Sequence, residues 1–238
     1  MTNKILLLLT QYKRNNLERQ LESINNQTLK VDYLVVFQNE NHYDITHLKN
    51  KYEFIHIKSD YNTKFYGRFS ICLAFPVDLC IILDDDMILG PNCLKNYIDE
   101  CIRLNGIIGG NGRIGDLNPN KKKLLQPPDV GKRNNTTLVD FVGHMWVFKK
   151  DWLYYMFSIK PYTLETGEDM HFCFSAKLLG NINSYVCKQN CKEDMSDITF
   201  NKLAEDEVAT WKTPSNDTRY LIEQYFIDNY NLKMIEEN

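Results

Sequence analysis

The segment CIILDDDMILGP, Cys80 to Pro91, ends an apolar run in three adjacent carboxylates, Asp84, Asp85 and Asp86, then resumes with Met87, Ile88 and Leu89. Like charges side by side repel, and none gains by lying against a core, so a positive partner is expected. If the chain stays extended, residues i and i+2 project to one side, and Asp84 and Asp86 offer their carboxylates together. Such oxygen donors suit Mg²⁺ or Mn²⁺, which takes few protein carboxylates and completes its shell with phosphate oxygens. A metal held at a strand's carboxyl end, facing a nucleotide cleft, clamps a diphosphate. The alternative is a solvated acidic turn capping the helix that follows Pro91, although a cap needs one Asp and not three.

The elements that must position these carboxylates follow from apolar patterning. KILLLL (4–9) reads as a strand buried on both faces, since no polar residue alternates. Leu17, Leu21 and Ile24 form one stripe of an amphipathic helix. DYLVVF (32–37) is a second strand, 43–50 a short helix, EFIHI (53–57) a third strand, FYGRFSICLAF (65–75) a helix and DLCIILD (78–84) a fourth strand. Alternation with short connections predicts a parallel, doubly wound sheet with helices on both faces. Ligands then bind beyond the carboxyl ends of the strands, where TQYKR, QNEN and DDD fall.

The second half is more varied. Pro91 to Arg103 reads as a helix with Leu94, Tyr97, Ile98 and Cys101 inward. GIIGGNGRIG (106–115) is a Gly-rich strand or turn, and 116–137, with three Pro and many Asn, a long mobile loop. LVDFVGHMWVF (138–148) has two apolar runs either side of Gly143. EDMHFCFSAKLLG (168–180) is a helix closed by Gly180, with Phe172, Ala176 and Leu179 inward. Residues 217–230 form the clearest helix of the tail. Neither a repeat nor a linker divides the chain, so a single domain over 1–238 is expected, with a nucleotide-binding half to about residue 90.

The 238 residues carry a formal charge of −3 and 43% hydrophobic residues, an ordinary globular composition without pull toward nucleic acid or anionic membrane. The five apolar residues of MTNKILLLLT are too few for a signal core or membrane span. Seven cysteines lack a C-x-x-C pair, and Cys187 and Cys191 are spaced too loosely to carry weight, so reduced, buried thiols in a soluble cytoplasmic chain are expected.

From LLLLTQYKRNNLERQLESINNQTL through GEDMHFCFSAKLLG, about three quarters of its length, the chain resembles the nucleotide-sugar-dependent glycosyltransferases of the GT-A fold, in pattern glycosyltransferase family 2. ILDDDMIL looks like the family's DxD metal motif, GEDMHF like its acidic helix start and TQYKRNN like its opening loop. Similar elements occur in exostosin-like and virus-encoded transferases, and the many Asn, Lys and Ile residues suit an AT-rich, viral genome, which would place the chain in the host cytoplasm. The resemblance implies a single GT-A-type α/β domain with a Rossmann-like, mostly parallel sheet. Its donor would be a nucleotide sugar, by resemblance a UDP-sugar, its acceptor a glycan or other hydroxyl, and its cofactor Mn²⁺ or Mg²⁺.

Carried across, Asp86 would ligate the metal, while Asp84 would meet the ribose or the metal shell beside Asp85. Thr10, Gln11, Tyr12, Arg14 and Gln38 would lie at the base and ribose, and Asp60 and Arg68 near the uracil and diphosphate. Arg68 reads equally as a surface salt bridge. Gly143, His144 and Trp146 would form the acceptor-side turn, with Trp146 either a sugar-stacking face or plain core. Inverting transfer needs a carboxylate to take the acceptor's proton, a role given to Asp169, with Glu168 as its fallback or an acceptor-hydroxyl ligand. The plainer reading of Asp169 is a carboxylate complementing the helix dipole.

There are departures from the family. No His follows His171, so Asp194, Asp197, His144 or His171 would have to serve as a late metal ligand. The second strand ends in QNE where the family often has Asp. Lys121–Lys123 and Lys132–Arg133 either close over an anionic ligand or form a solvated loop. Two rival functions exist: a haloacid-dehalogenase-type phosphatase with Asp84 as nucleophile and Asp86 as acid, and a non-catalytic sugar-binding module. In that phosphatase family the Asp-x-Asp strand comes first in its sheet, and here three strands precede it.

Overall fold

The computed structural model describes residues 3–114, 133–200, 202–203, 206–207 and 216–235. Its first half is built as the apolar runs require. Strands β1 (Ile5–Gln11), β2 (Tyr33–Asn39), β3 (Ile55–Ser59) and β4 (Leu79–Leu83) are mutually parallel in the order β3-β2-β1-β4. Helix α1 (Leu17–Asn25) joins the first two strands and α2 (Tyr66–Cys72) precedes β4. The chain steps outward from β1 to β3 and then returns across β1 to β4. Right-handed crossovers therefore require α2 on the face opposite α1. Leu6 to Leu9 and Cys80 to Leu83 are fully buried, as expected of central parallel strands.

Beyond β4 the sheet becomes mixed. Helix α3 (Cys93–Leu104) buries Leu94, Tyr97, Ile98 and Cys101, the expected stripe. Strand β5 (Ile107–Arg113) follows, then the short β6 (Thr137–Val139) and the long β7 (Phe141–Lys149). β7 inserts antiparallel between β4 and β5, and β8 (Ser184–Val186) pairs parallel with β5. The full order is β3-β2-β1-β4-β7-β5-β8-β6. Helices α4 (Leu153–Ser158), α5 (Glu168–Gly180) and α6 (Asn216–Tyr230) complete the second half. One hydrophobic cluster runs from Ile5 to Leu232.

Several local expectations need correction. The two apolar runs around Gly143 belong to one nine-residue strand, because pairing on both sides carries the backbone through the glycine. Leu179 is 49% exposed and points outward, and the left-handed cap of α5 is Asn181, not Gly180. Most of the loop read over 116–137, with Lys121–Lys123 and Lys132, lies outside the described residues. Arg133, counted with that basic loop, is buried, donates to the carbonyl of Gly110 at 3.0 Å and bridges Gln189. All seven cysteines are unpaired, six of them buried. No described helix is long and apolar enough to cross a membrane.

Candidate functional site

The three aspartates follow β4 directly, yet they lie in a turn and not in an extended segment: the N–H of Met87 reaches back to the carbonyl of Asp84 at 3.3 Å. The expected pairing of Asp84 with Asp86 is therefore replaced by another division. Arg68, in α2, donates one Nη to Asp84 and the other to Glu168 Oε1 at 2.5 Å. Arg14, in the loop after β1, meets Asp85 at 2.5 Å and Asp86 at 2.9 Å, and binds Asp206 through Nε and Nη2 at 2.7 and 2.9 Å. The positive partners of the aspartates in the folded chain are thus two arginines.

The electrostatics of this cluster are strained. Burial, reinforced by repulsion from Asp84, pushes Asp86 up to about 7 in spite of Arg14. Burial raises Asp85 as well, again against Arg14. Glu168 is pushed up to about 7 by burial, which with repulsion from Asp169 and Asp84 outweighs the pull of Arg68. Burial works against the charge of Arg14 too, but Asp206, Asp85 and Asp86 together hold its pKa above the ordinary value.

Amides in and flanking α1 hold the acidic turn in place. Gln20, buried, donates to the carbonyls of Asp84 and Met87 at 2.7 and 3.1 Å. Gln27 donates to Gly90 and accepts from the N–H of Leu94, while Asn16 donates to the carbonyl of Asp85. From behind, residues 193–198 pair with the turn: Gly90 N–H donates to Met195 O, Asn92 N–H to Glu193 O and Ile198 N–H to Ile88 O, each at 2.8 Å. A methyl group on Gly90 would run into the carbonyls of Lys192 and Glu193. The roles of Gln20 and Gln27 escaped the sequence reading, although Gln20, Ser23 and Gln27 form a polar stripe at helical spacing beside the apolar one.

Glu168 and Asp169 open α5 after Gly167, whose left-handed backbone (φ 78°) suits glycine and whose missing Cβ makes room for Ile222 of α6. Asp169 Oδ1 accepts the N–H of Met170 at 2.8 Å. Its Oδ2 is the nearest atom, at 3.9 Å, to where a Cβ on Gly143 would stand, so the glycine leaves space before the carboxylate. His144 next to it holds a left-handed conformation (φ 66°) and accepts the N–H of Asp84 at 3.0 Å. Burial lowers its pKa, while Asp84, Asp197 and Asp169 act in the opposite sense.

At the carboxyl end of β1, Gln11 donates to the carbonyls of Tyr12 and Arg14, while its Oε1 and the hydroxyl of Thr10 are buried without partners. Tyr12 packs edge-on to His42. Gln38, at the end of β2, bonds Tyr43 O and His56 and lines a cleft of about 320 Å³ with Asn41, His42 and Lys58. Asp60 is exposed beyond β3, and no described contact ties it to the acidic cluster.

Trp146 does not lie as the acceptor reading needs, nor His171 as a late metal ligand would. Trp146 is 1% exposed and donates to Val142 O, and the guanidinium of Arg68 covers its ring at 4.5 Å, so it is core and not a sugar-stacking face. His171 is buried against Tyr66 and Phe226 and bonds Met156 O, a core histidine. Asp197 is buried and bonds Thr199, and Asp194 lies half-buried in the 3-10 turn 192–194. Among the described residues no group of three or more His, Cys, Asp or Glu side chains could hold a metal. No family model matches the chain, and no curated protein is significantly similar to it.

Proposed function

We propose that the protein is a metal-dependent glycosyltransferase of GT-A architecture, moving a sugar from a nucleoside-diphosphate sugar, a UDP-sugar, to an acceptor hydroxyl with inversion. The observation that carries this reading is Arg68, which links the acidic turn after β4 to the start of α5 by meeting Asp84 and Glu168 with one guanidinium. That contact holds the acidic turn within one side chain of the Glu168–Asp169 helix start, at the carboxyl ends of parallel strands, which is the arrangement a diphosphate site with a nearby base would need.

The unpartnered Thr10 hydroxyl and Gln11 Oε1 are suited to hydrogen-bond a nucleoside, and the cleft beside Gln38 offers room for a base. Asp86 and Asp84 would hold Mn²⁺ or Mg²⁺ by giving up part of their contacts with Arg14 and Arg68: they are hard, mutually repelling carboxylates, and two suffice for an ion that takes its other ligands from phosphates and water. Such an ion supplies positive charge against the charge that develops on the departing diphosphate. In the reaction, Asp169 Oδ2 takes the proton of the acceptor hydroxyl, whose oxygen bonds the anomeric carbon as the bond to the diphosphate oxygen breaks and UDP leaves. Gly143 keeps the approach to that oxygen open. Arg68 is a positioning residue, holding Glu168 and Asp84 while Trp146 covers its face. Six buried free thiols suit a reducing compartment, the cytoplasm.

Calorimetric titration of UDP with Mn²⁺ and with EDTA tests the donor site. Metal-dependent binding, lost in Asp86→Ala and kept in Asp169→Asn while transfer disappears, is the expected result. UDP that fails to bind with metal present, or hydrolysis of a simple phosphate monoester lost in Asp84→Asn, would sink the transferase reading.

A further inference from the structure

The arginines beside the acidic turn are matched by carboxylates, Arg14 by three and Arg68 by two. Two others are not. Nη1 of Arg113, at the end of β5, and Nε of Arg219, in the first turn of α6, are buried without hydrogen-bond partners. Among the described residues neither guanidinium has an ion pair.

Backbone register brings both to Asp169. In β5, Asn111 faces Gly143 and Arg113 faces Phe141, so Arg113 shares the sheet face that Gly143 turns to Asp169 Oδ2. Phe141 packs on Phe174 of α5, on that same face. In α6, Ile222 seats on Gly167, and Phe226 packs edge-on against His171 and Phe174, so α6 runs alongside α5 in the same direction. Arg219 precedes Ile222 by one turn on that stripe and so overhangs the start of α5, where Glu168 and Asp169 lie. Burial and then the charge of Arg219 hold Arg113 below arginine's ordinary pKa, while Asp169 acts in the opposite sense. Arg113 nevertheless remains cationic at neutral pH. Two half-buried guanidiniums in mutual repulsion, with donors unspent, match an anion that is not part of the chain.

We infer that Arg113 and Arg219 form an anion subsite beside Asp169, and that the acceptor carries a phosphate or carboxylate near the hydroxyl to be glycosylated. The acceptor assignment rests on the proposed transferase; the anion subsite itself does not. Repulsion between Asp169 and the bound anion is relieved when Asp169 takes the acceptor's proton, so the subsite favours the moment of attack over the resting complex.

The test is calorimetric titration of the full chain with glycerol 3-phosphate and with methyl glucuronide, against methyl glucoside as the neutral control. At least one anion should bind saturably and the glucoside should not, and the preferred anion tells phosphate from carboxylate. Arg113→Gln and Arg219→Gln should each weaken that binding about tenfold, the loss of one charge-assisted hydrogen bond. Asp169→Asn should tighten it, an effect a merely structural role would not produce. Since neither guanidinium has an ion pair among the described residues and the two repel each other, both glutamine variants should keep or raise the thermal midpoint. Absence of anion binding in the wild-type chain, binding indifferent to both substitutions, or a fall in midpoint in both variants would overturn the subsite. UDP with Mn²⁺, titrated into the same proteins, should bind all of them alike. If UDP fails throughout while anions still bind, the transferase reading falls and the subsite stands.

Discussion

Replacing Arg68 with Met tests the linkage on which the proposed site depends. The Arg68 side chain is buried, and of its two carboxylates Glu168 is only 7% exposed while Asp84 is 26% exposed. Met keeps most of the side-chain length and its packing on Trp146 but leaves Asp84 and Glu168 without their cation. Removing one partner of a buried ion pair typically costs about 3–5 kcal/mol, because the remaining charge is stranded. At about 2–4 °C per kcal/mol for a chain of this size, the thermal midpoint should fall by roughly 6–20 °C at pH 8. The deficit should shrink on acidification. Glu168 already stands near 7 with Arg68 present, and losing the cation raises it further, so the variant takes up a proton that offsets the stranded charge. Each pH unit between the variant's raised pKa and about 7 returns about 1.4 kcal/mol, and the recovery levels off below that, where Glu168 of the wild type protonates as well. Urea unfolding followed by tryptophan fluorescence at pH 8 and pH 5.5, for wild type, Arg68→Met, Glu168→Gln and the double variant, measures the cycle. A coupling of about 1–3 kcal/mol between the two sites is expected at pH 8. A loss below about 1 kcal/mol that does not vary with pH would show that the carboxylates are solvated, and the buried linkage would be refuted.

Gln20→Ala removes two buried donors from the acidic turn and should cost about 2–3 kcal/mol by chemical denaturation, and UDP binding should weaken with it. Gly90→Ala forces a methyl group against two backbone carbonyls and should cost about 1–3 kcal/mol, read as a lower urea midpoint with an unchanged slope. Gly143→Ala, by contrast, meets nothing nearer than Asp169 Oδ2 and should leave stability within about 0.5 kcal/mol, while sugar transfer drops as the methyl occupies the approach to the carboxylate. Glu100 is held down to about 2 from its ordinary 4.5 by its hydrogen bond to Arg103, helped by Thr136. Its folded pKa is depressed, so its stabilisation is present above pH 4.5 and disappears as pH falls toward 2. Wild type should be more stable than Glu100→Gln at pH 6, and thermal midpoints measured down to pH 3 should converge.

The parallel half of the fold was legible because its signal is local. Uninterrupted runs such as ILLLL and CIIL leave no face for water, and short connections with helical stripes between them admit little besides parallel crossovers. The position of Asp84 to Asp86 at a strand's carboxyl end followed from the same runs, as did the stripe of α3. What surrounds those aspartates did not. Arg14 meets Asp206 across 192 residues and Arg68 meets Glu168 across 100, and charge attraction leaves no periodic trace that a single sequence could display. Trp146 and Leu179 show the same limit from the apolar side. Both suit either a core or a surface by composition, and only the packing of β7 under Arg68 and the outward turn of α5 decided which. Thus the sequence by itself determined the strands and the end of the sheet at which carboxylates gather. Tertiary structure alone decided that two arginines meet them and that Arg113 and Arg219 have no ion pair among the described residues, because compensation of charge depends on distance in space and not on distance along the chain.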